Sequence, residues 1–228
     1  MSNKGAVCLT FDDAHFQQWI DALPLWERYN AHATFFVAGE ITPFAMETMK
    51  TLRKAGHTVG LHTLEHKDSA GFFAESGGEA YVAEQIMPQL EVCLKNDFPI
   101  EHFAYPNNVR NEETDRQLSK YFRHFRAGIG GVMKNGFCTF DPYCRYYDRE
   151  NPPAALGGTG IGEYYATKLE DVDAALEGAA AEKKLLIFFS HGISPDAKSV
   201  NMKTAWLEHI LEKASSLGLD IIGFDELP

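Results

Sequence analysis

No stretch of this 228-residue sequence approaches the roughly 18 consecutive apolar residues that a membrane-spanning helix needs. The opening, Met1–Gly5, is polar and short and carries no secretory-signal pattern. The reading is a cytoplasmic protein or the mature form of an exported one, with no membrane span. Positive charge is also scarce: 21 basic side chains face 32 acidic ones, a net charge of −11. A surface that acidic repels a phosphate backbone, so nucleic acid is not an expected partner, whereas a neutral polymer is not repelled. Cys8, Cys93, Cys138 and Cys144 form no CxxC pair, and a chain of this size needs no disulfide framework. They read as buried or spare thiols. Internal repeats and low-complexity linkers are absent. Gly157–Gly162 (GGTGIG) lacks the GK[ST] ending of a phosphate loop and reads as a flexible connection.

What the sequence does contain is alternation. Ala6–Phe11, Ala33–Ala38, Thr58–Leu61, His102–Tyr105, Leu185–Ser190 and Leu219–Phe224 are short apolar runs of strand length. Helical patterns separate them. Gln17–Tyr29 is one, with a break near Pro24, and Pro43–Ala55 another, with Pro43 suited to a first turn. Ala80–Lys95 carries Val82, Ile86, Leu90 and Leu94 at a spacing of four, and Pro88 should kink or split it. Glu112–Tyr121, the stripe Leu169, Val172, Leu176, Ala179 and the stripe Trp206, Ile210, Ala214, Leu217 complete the set. Phe125 to Asp148 suggests several short strands with Gly turns. Repeated strand–helix alternation argues for an α/β fold with a mostly parallel sheet and helices outside it. About seven units in this length suit one barrel-like domain over residues 1–228, with functional groups in the loops after the strands.

Three groups of reactive side chains stand at such strand ends. Asp12 and Asp13 follow the first strand, His62 and His66 the third, and His191 the run Leu185–Ser190. Histidines four apart share a face, with Cβ atoms about 5–6 Å apart, and two imidazoles can converge on one ion. Two adjacent carboxylates repel each other, and a metal relieves this if one binds it and the other stays free nearby. Taken singly, each group also has a plain structural reading: capping histidines, a solvated Asp turn, a packed core histidine. His15, His32, His57, His102, His124 and His209 have no such partners and read as surface or packing residues, with His15 lying near the site.

Leu9-Thr10-Phe11-Asp12-Asp13, Gly60-Leu61-His62-Thr63-Leu64-Glu65-His66 and Leu185-Leu186-Ile187-Phe188-Phe189-Ser190-His191 together resemble the polysaccharide deacetylases, the NodB-homology domain of carbohydrate esterase family four. The resemblance implies a distorted (β/α) barrel of about seven parallel strands with its site on the C-terminal face. It implies that Asp13, His62 and His66 hold a divalent metal, commonly zinc, while the same donors also accept cobalt, nickel or iron. Asp12 would be the general base and His191 the general acid in de-N-acetylation of amino sugars or polysaccharides. A cyclic amide or imide hydrolase of the same fold is the alternative, and a metal-holding sugar-binding protein without turnover is another.

One motif departs from the family pattern: its Arg-x-Pro-Tyr stands here as Ala104-Tyr105-Pro106-Asn107. The lost arginine normally orients the base aspartate, and Arg145 is the expected replacement. The oxyanion contact from this motif, made through a backbone N–H, falls to Asn107 beside Tyr105. An acidic partner for His191 is also expected, Asp141 or Asp148. Tyr105, Tyr143, Tyr146, Tyr147, Tyr164 and Tyr165 are candidates for stacking on sugar rings, although packing accounts for most of them.

Overall fold

The first strand, Ala6–Asp13 (β1), is buried almost throughout and has two different apolar faces. Val7, Leu9 and Phe11 belong to a large cluster shared with the helices, while Ala6 and Cys8 belong to a smaller one with Phe36, Ala104, Ile187 and Phe224. Two apolar layers on opposite sides of one strand are what a closed barrel demands, one inside it and one beneath its helices. The computed structural model describes residues 4–129, 133–134, 137–138 and 146–228, and it shows that barrel. Seven parallel strands close it: β1, Thr34–Val37 (β2), Thr58–Leu61 (β3), His102–Ala104 (β4), His124–Gly128 (β5), Ala155–Gly160 (β6) and Leu185–Ser190 (β7). β7 pairs back onto β1 with Ala6 opposite Leu185 and Phe11 opposite Ser190.

An eighth short strand, Asp220–Ile221 (β8), pairs with the beginning of β1, whose far half pairs with β2. The chain then turns under the barrel. Phe224 is fully buried there, edge-on to Phe36 and His102, and its N–H donates to Thr34 Oγ1 at 2.9 Å. This plugs the N-terminal end and leaves the C-terminal end open.

Local sequence accounts for most helix boundaries. Thr42 caps Pro43–Lys54 by accepting from the Ala45 N–H at 3.1 Å, and Gly56, at a φ of 90°, follows its end. The helical pattern around Pro24 divides into Phe16–Asp21 and Leu23–Arg28, which puts Pro24 in a first turn where its missing N–H costs nothing. Pro88 acts in the same way. A π-helical segment, Val82–Ile86, precedes it, and the α-helix restarts as Met87–Lys95. Ala155–Gly160 corrects one expectation, because most of the Gly-rich run is a barrel strand and not a flexible connection. Its glycines give space to neighbours: a Cβ on Gly160 would lie 2.6 Å from the Tyr165 ring, and one on Gly157 2.9 Å from Ile129. Between β5 and β6, Met133–Lys134 pairs antiparallel with Phe137–Cys138.

His57, His102 and His124 are buried at the plugged end of the barrel. His57 Nδ1 accepts from the Ala33 N–H at 3.0 Å, which requires a neutral ring with its proton on Nε2. Burial, with help from neighbouring His32, pushes its pKa down to about 4. Burial and the nearby His102 and Arg123 do the same to His124. Between pH 6.5 and 4 the unfolded chain therefore binds protons that the folded chain refuses, and stability falls as pH falls through that window. Each ring contributes a slope of up to about 1.4 kcal/mol per pH unit. The urea midpoint of the metal-free protein should hold steady above pH 6.5 and decline below it. His57→Asn, which keeps the acceptor and removes the titration, should flatten that decline, and identical pH profiles for the two proteins would count against this account.

Candidate metal centre and active site

Inward and outward positions alternate along β1, so Asp12 follows Ala6, Cys8 and Thr10 toward the barrel interior. Asp13 then breaks the alternation with a φ of 79° and turns its carboxylate onto the rim. Thr63 and His66, after β3, also have positive φ, as do Asn107 and Asn108 after β4. Half of the ten non-glycine residues with positive φ among the described residues lie on this rim. Such strain is held at sites where side-chain direction matters more than backbone comfort, and a β-branched residue like Thr63 rarely tolerates it otherwise.

These turns bring Asp13, His62 and His66 together, with one ligand atom from each within 4.8 Å of the others. Asp13 Oδ1 lies 3.7 Å from His62 Nε2 and 3.6 Å from His66 Nε2. His62 Nδ1 is 2.8 Å from the Ala104 carbonyl. That contact places the ring proton on Nδ1 and leaves the Nε2 lone pair facing Asp13, the tautomer and orientation a metal ligand needs. Burial pushes the His62 pKa down to about 4, against the pull of Asp12, so the ring stays neutral at ordinary pH. Two imidazoles and one carboxylate, so oriented, fit a divalent ion with coordination positions to spare. His15 Nε2 lies 3.9 Å from the other Asp13 oxygen, and its pKa is lowered by burial, against the pull of Asp13.

Beside this cluster lies a buried ion pair. Arg126, on β5, is fully buried and donates from Nη2 to Asp12 Oδ2. Its Nη1 donates to Asn108 Oδ1 at 2.7 Å, and its guanidinium carbon sits 4.7 Å from the centre of the Phe189 ring. Burial opposes the Asp12 charge, but Arg126, His62 and His191 outweigh it and hold the carboxyl below the usual aspartate pKa. Asp12 Oδ1 is buried and has no hydrogen-bond partner among the described residues. The carboxylate is thus anchored through one oxygen and open through the other.

Arg126 is the residue that sequence reading missed. The guanidinium on Asp12 comes from β5, and Arg145 lies outside the described residues. A signal was present: Phe125 and Ala127 belong to the helix-facing cluster, so His124 and Arg126 must point inward. An arginine inside a barrel needs an anion, and Asp12 is the inward acid.

A cleft of about 370 Å³ opens over these groups, lined by Asp12, His62, His66, Tyr105, Asn107, Asn108, Tyr164, Tyr165, Phe189, His191 and Val200. Tyr105 forms a wall only: its N–H donates to the Arg126 carbonyl and its hydroxyl to Asp115 at 2.9 Å. Among the described residues the partner of the His191 ring is a backbone carbonyl: Nδ1 faces Val200 O at 3.2 Å. Asp148 instead accepts from the Glu150 N–H, and Asp141 lies outside the described residues.

The polysaccharide deacetylase family profile matches residues 1–122, more than half of the chain. The chain belongs to that family. It is 38% identical over 68 residues to the peptidoglycan-N-acetylmuramic acid deacetylase PdaC of Bacillus subtilis (strain 168), a match covering 28% of this chain and 14% of PdaC. It is 23% identical over 168 residues to YxkH of the same organism, covering 71% of this chain and 57% of YxkH. The chain thus spans less than two thirds of these curated relatives. Among solved structures, the chitin deacetylase of the fungal pathogen Colletotrichum lindemuthianum superposes with a TM-score of 0.62 at 19% identity, over 98% of this chain and 87% of that one. That likeness establishes a shared barrel fold.

Two outcomes follow from the geometry. His66→Ala should sharply reduce bound zinc per chain in equilibrium dialysis, while His209→Ala, whose ring pairs with Asp173 at 2.8 Å between two helices, should not. Equal metal content in both variants would show that the ligands lie elsewhere. Arg126→Met leaves Asp12 as an uncompensated buried charge and should cost about 3–5 kcal/mol in urea unfolding of the metal-free protein. Adding Asp12→Asn should recover much of that loss, and strictly additive losses would argue against the pairing.

Proposed function

We propose that this chain is a metal-dependent amidohydrolase that removes acetyl groups from N-acetylated amino sugars, free or polymeric. One observation carries the reading: an aspartate kept ionised by a buried arginine, with one oxygen unengaged, lies beside a carboxylate and two imidazoles arranged for a metal. Zinc fits this donor set best, and cobalt, nickel or iron could share it. A divalent ion held by Asp13, His62 and His66 would polarise the amide carbonyl and bring the pKa of water down toward ~7.

The remaining steps belong to the chain's own side chains. Asp12 Oδ1 takes the proton of the attacking water while Oδ2 stays on Arg126, so the carboxylate does not swing away as its charge changes. Arg126 lowers the basicity of Asp12 and in return keeps it ionised inside the barrel. His191 hands a proton to the departing amine through Nε2, the nitrogen not committed to Val200. The backbone N–H of Asn107 supports the developing oxyanion. Tyr164, 42% exposed at the cleft rim, offers an aromatic face to a pyranose ring, which stacks its C–H face on such surfaces, and the buried Tyr165 and Phe189 back it from within the cleft wall.

A base aspartate without its arginine would favour a sugar-binding protein without turnover, but Arg126 supplies that guanidinium to Asp12. A cyclic amide hydrolase would use the same metal chemistry, and no feature of the cleft favours it. Release of acetate from chito-oligosaccharides by the zinc-loaded protein tests the proposal directly. Asp12→Asn should lower that rate by about 10²–10⁴ with metal content unchanged. No acetate from any N-acetylated saccharide, or an unaltered rate in the variant, would overturn it.

A further inference from the structure

We infer that Asn201 is a positioning residue for His191, and that the loop it anchors orients the imidazole through the Val200 carbonyl. The inference rests on the reading of His191 as the proton donor of the proposed reaction.

His191 stands just beyond β7, where no regular secondary structure fixes it, and a proton donor on a loose turn would sample many orientations. Three contacts prevent this. The His191 carbonyl accepts from Trp19 Nε1 at 3.0 Å. Its ring Nδ1 meets Val200 O at 3.2 Å, an oxygen that also lies 3.0 Å from Ser190 Oγ. The next residue, Gly192, is tied to the same loop at both polar atoms. Its N–H donates to Asn201 Oδ1 at 2.7 Å, and its carbonyl accepts from the Met202 N–H at 2.9 Å.

The Asn201 carboxamide is therefore the side chain by which the loop supplying Val200 O reaches back to the His191 turn, while Ser190 and His191 reach the loop only at Val200 O. Space around it is tight. A Cβ on Gly192 would fall 2.0 Å from Gln18 Oε1 and 3.1 Å from Asn201 Oδ1, so a larger residue here would push these side chains aside. The loop is fixed from its other side too: Ser199 has a φ of 58°, and its carbonyl accepts from the Tyr164 N–H at 2.9 Å. The clamp thus connects the proton donor to the aromatic wall of the cleft.

Like an ionised carboxylate, a carbonyl partner accepts only, so it selects the ring form with the proton on Nδ1 and leaves Nε2 to exchange protons with the cleft. Unlike a carboxylate it stays neutral and sets no opposite charge beside the imidazole. The orienting information comes from backbone geometry, and Asn201 holds that geometry.

The test pairs Asn201→Ala with Asn201→Asp, the latter keeping an oxygen acceptor for the Gly192 N–H. In the zinc-loaded 228-residue chain, Asn201→Ala should lower kcat for acetate release about ten- to a hundredfold, with KM and zinc stoichiometry within about twofold of the parent. Asn201→Asp should restore most of the rate. Nitrogen-15 spectra of the histidine side chains supply a readout that does not need activity: His191 should show the Nδ1–H form in the parent and in Asn201→Asp, and a tautomer mixture in Asn201→Ala. An unchanged tautomer in Asn201→Ala would overturn the inference, whatever the rates, as would Asn201→Asp behaving like Asn201→Ala. If the protein releases no acetate at all, the proposed function fails, and the spectra still decide the role of Asn201.

Discussion

A guanidinium and a carboxylate inside the barrel set the terms for everything above them. Arg126 and Asp12 are 0% and 3% exposed, and removing two such ions from water costs several kcal/mol each before their attraction is counted. The surroundings offset that cost only by specialising. Asn108 turns its amide oxygen to the arginine, Phe189 lies under the guanidinium, and His62 stands 4.0 Å from the carboxylate. A base aspartate surrounded by apolar walls would otherwise take up a proton and lose its function. Here the same burial that threatens the charge strengthens the arginine that preserves it, because both act in a low-dielectric space. Not every group is satisfied: Arg126 Nε and Asp12 Oδ1 are both buried without partners among the described residues. The second of these is the oxygen the proposed reaction uses.

The barrel makes this arrangement possible because its two ends do different work. At the N-terminal end, Phe224, His102, His124 and the returning chain fill the interior. At the C-terminal end, backbone strain accumulates at Asp13, Thr63, His66, Asn107 and Asn108. Strain of this kind costs roughly 1–3 kcal/mol per residue and persists only where the rest of the fold over-determines the position. A plugged, well-packed lower half supplies that over-determination. Stability below and precision above are therefore linked through the same seven strands.

Sequence patterning made the strands, the barrel class and the convergence of three strand ends legible, since all three follow from alternation and from where parallel strands put their termini. Asp13, His62 and His66 were readable for a further reason: a metal constrains both donor type and spacing, and His62-x-x-x-His66 carries that constraint along the chain. Arg126 was not readable in the same way. Its partner is 114 residues distant, and a lone arginine in a short apolar strand looks like an edge residue until the strand is known to have an interior face. The role of Val200 O was hidden more deeply, because a backbone carbonyl has no side-chain signature. Gly157–Gly162 misled because glycine signals flexibility locally, whereas in this barrel it admits the rings packed against it.

These differences divide the site into two halves governed by different physics. The half that resembles the family most plainly lies within residues 1–122 and contains the residues placed to hold metal. Coordination fixes distances and angles at one point in space, so few substitutions preserve it, and the local motif persists. Proton transfer asks less: a carboxylate must stay ionised, and an imidazole must present one nitrogen to the cleft. Any inward position on a neighbouring strand can deliver a guanidinium to the same interior point, which is how Arg126 on β5 can serve where Ala104 on β4 cannot. Likewise any fixed acceptor can hold an imidazole, a carbonyl as well as a carboxylate. A closed barrel, whose inward residues all converge on one axis, is the architecture in which such relocation costs least.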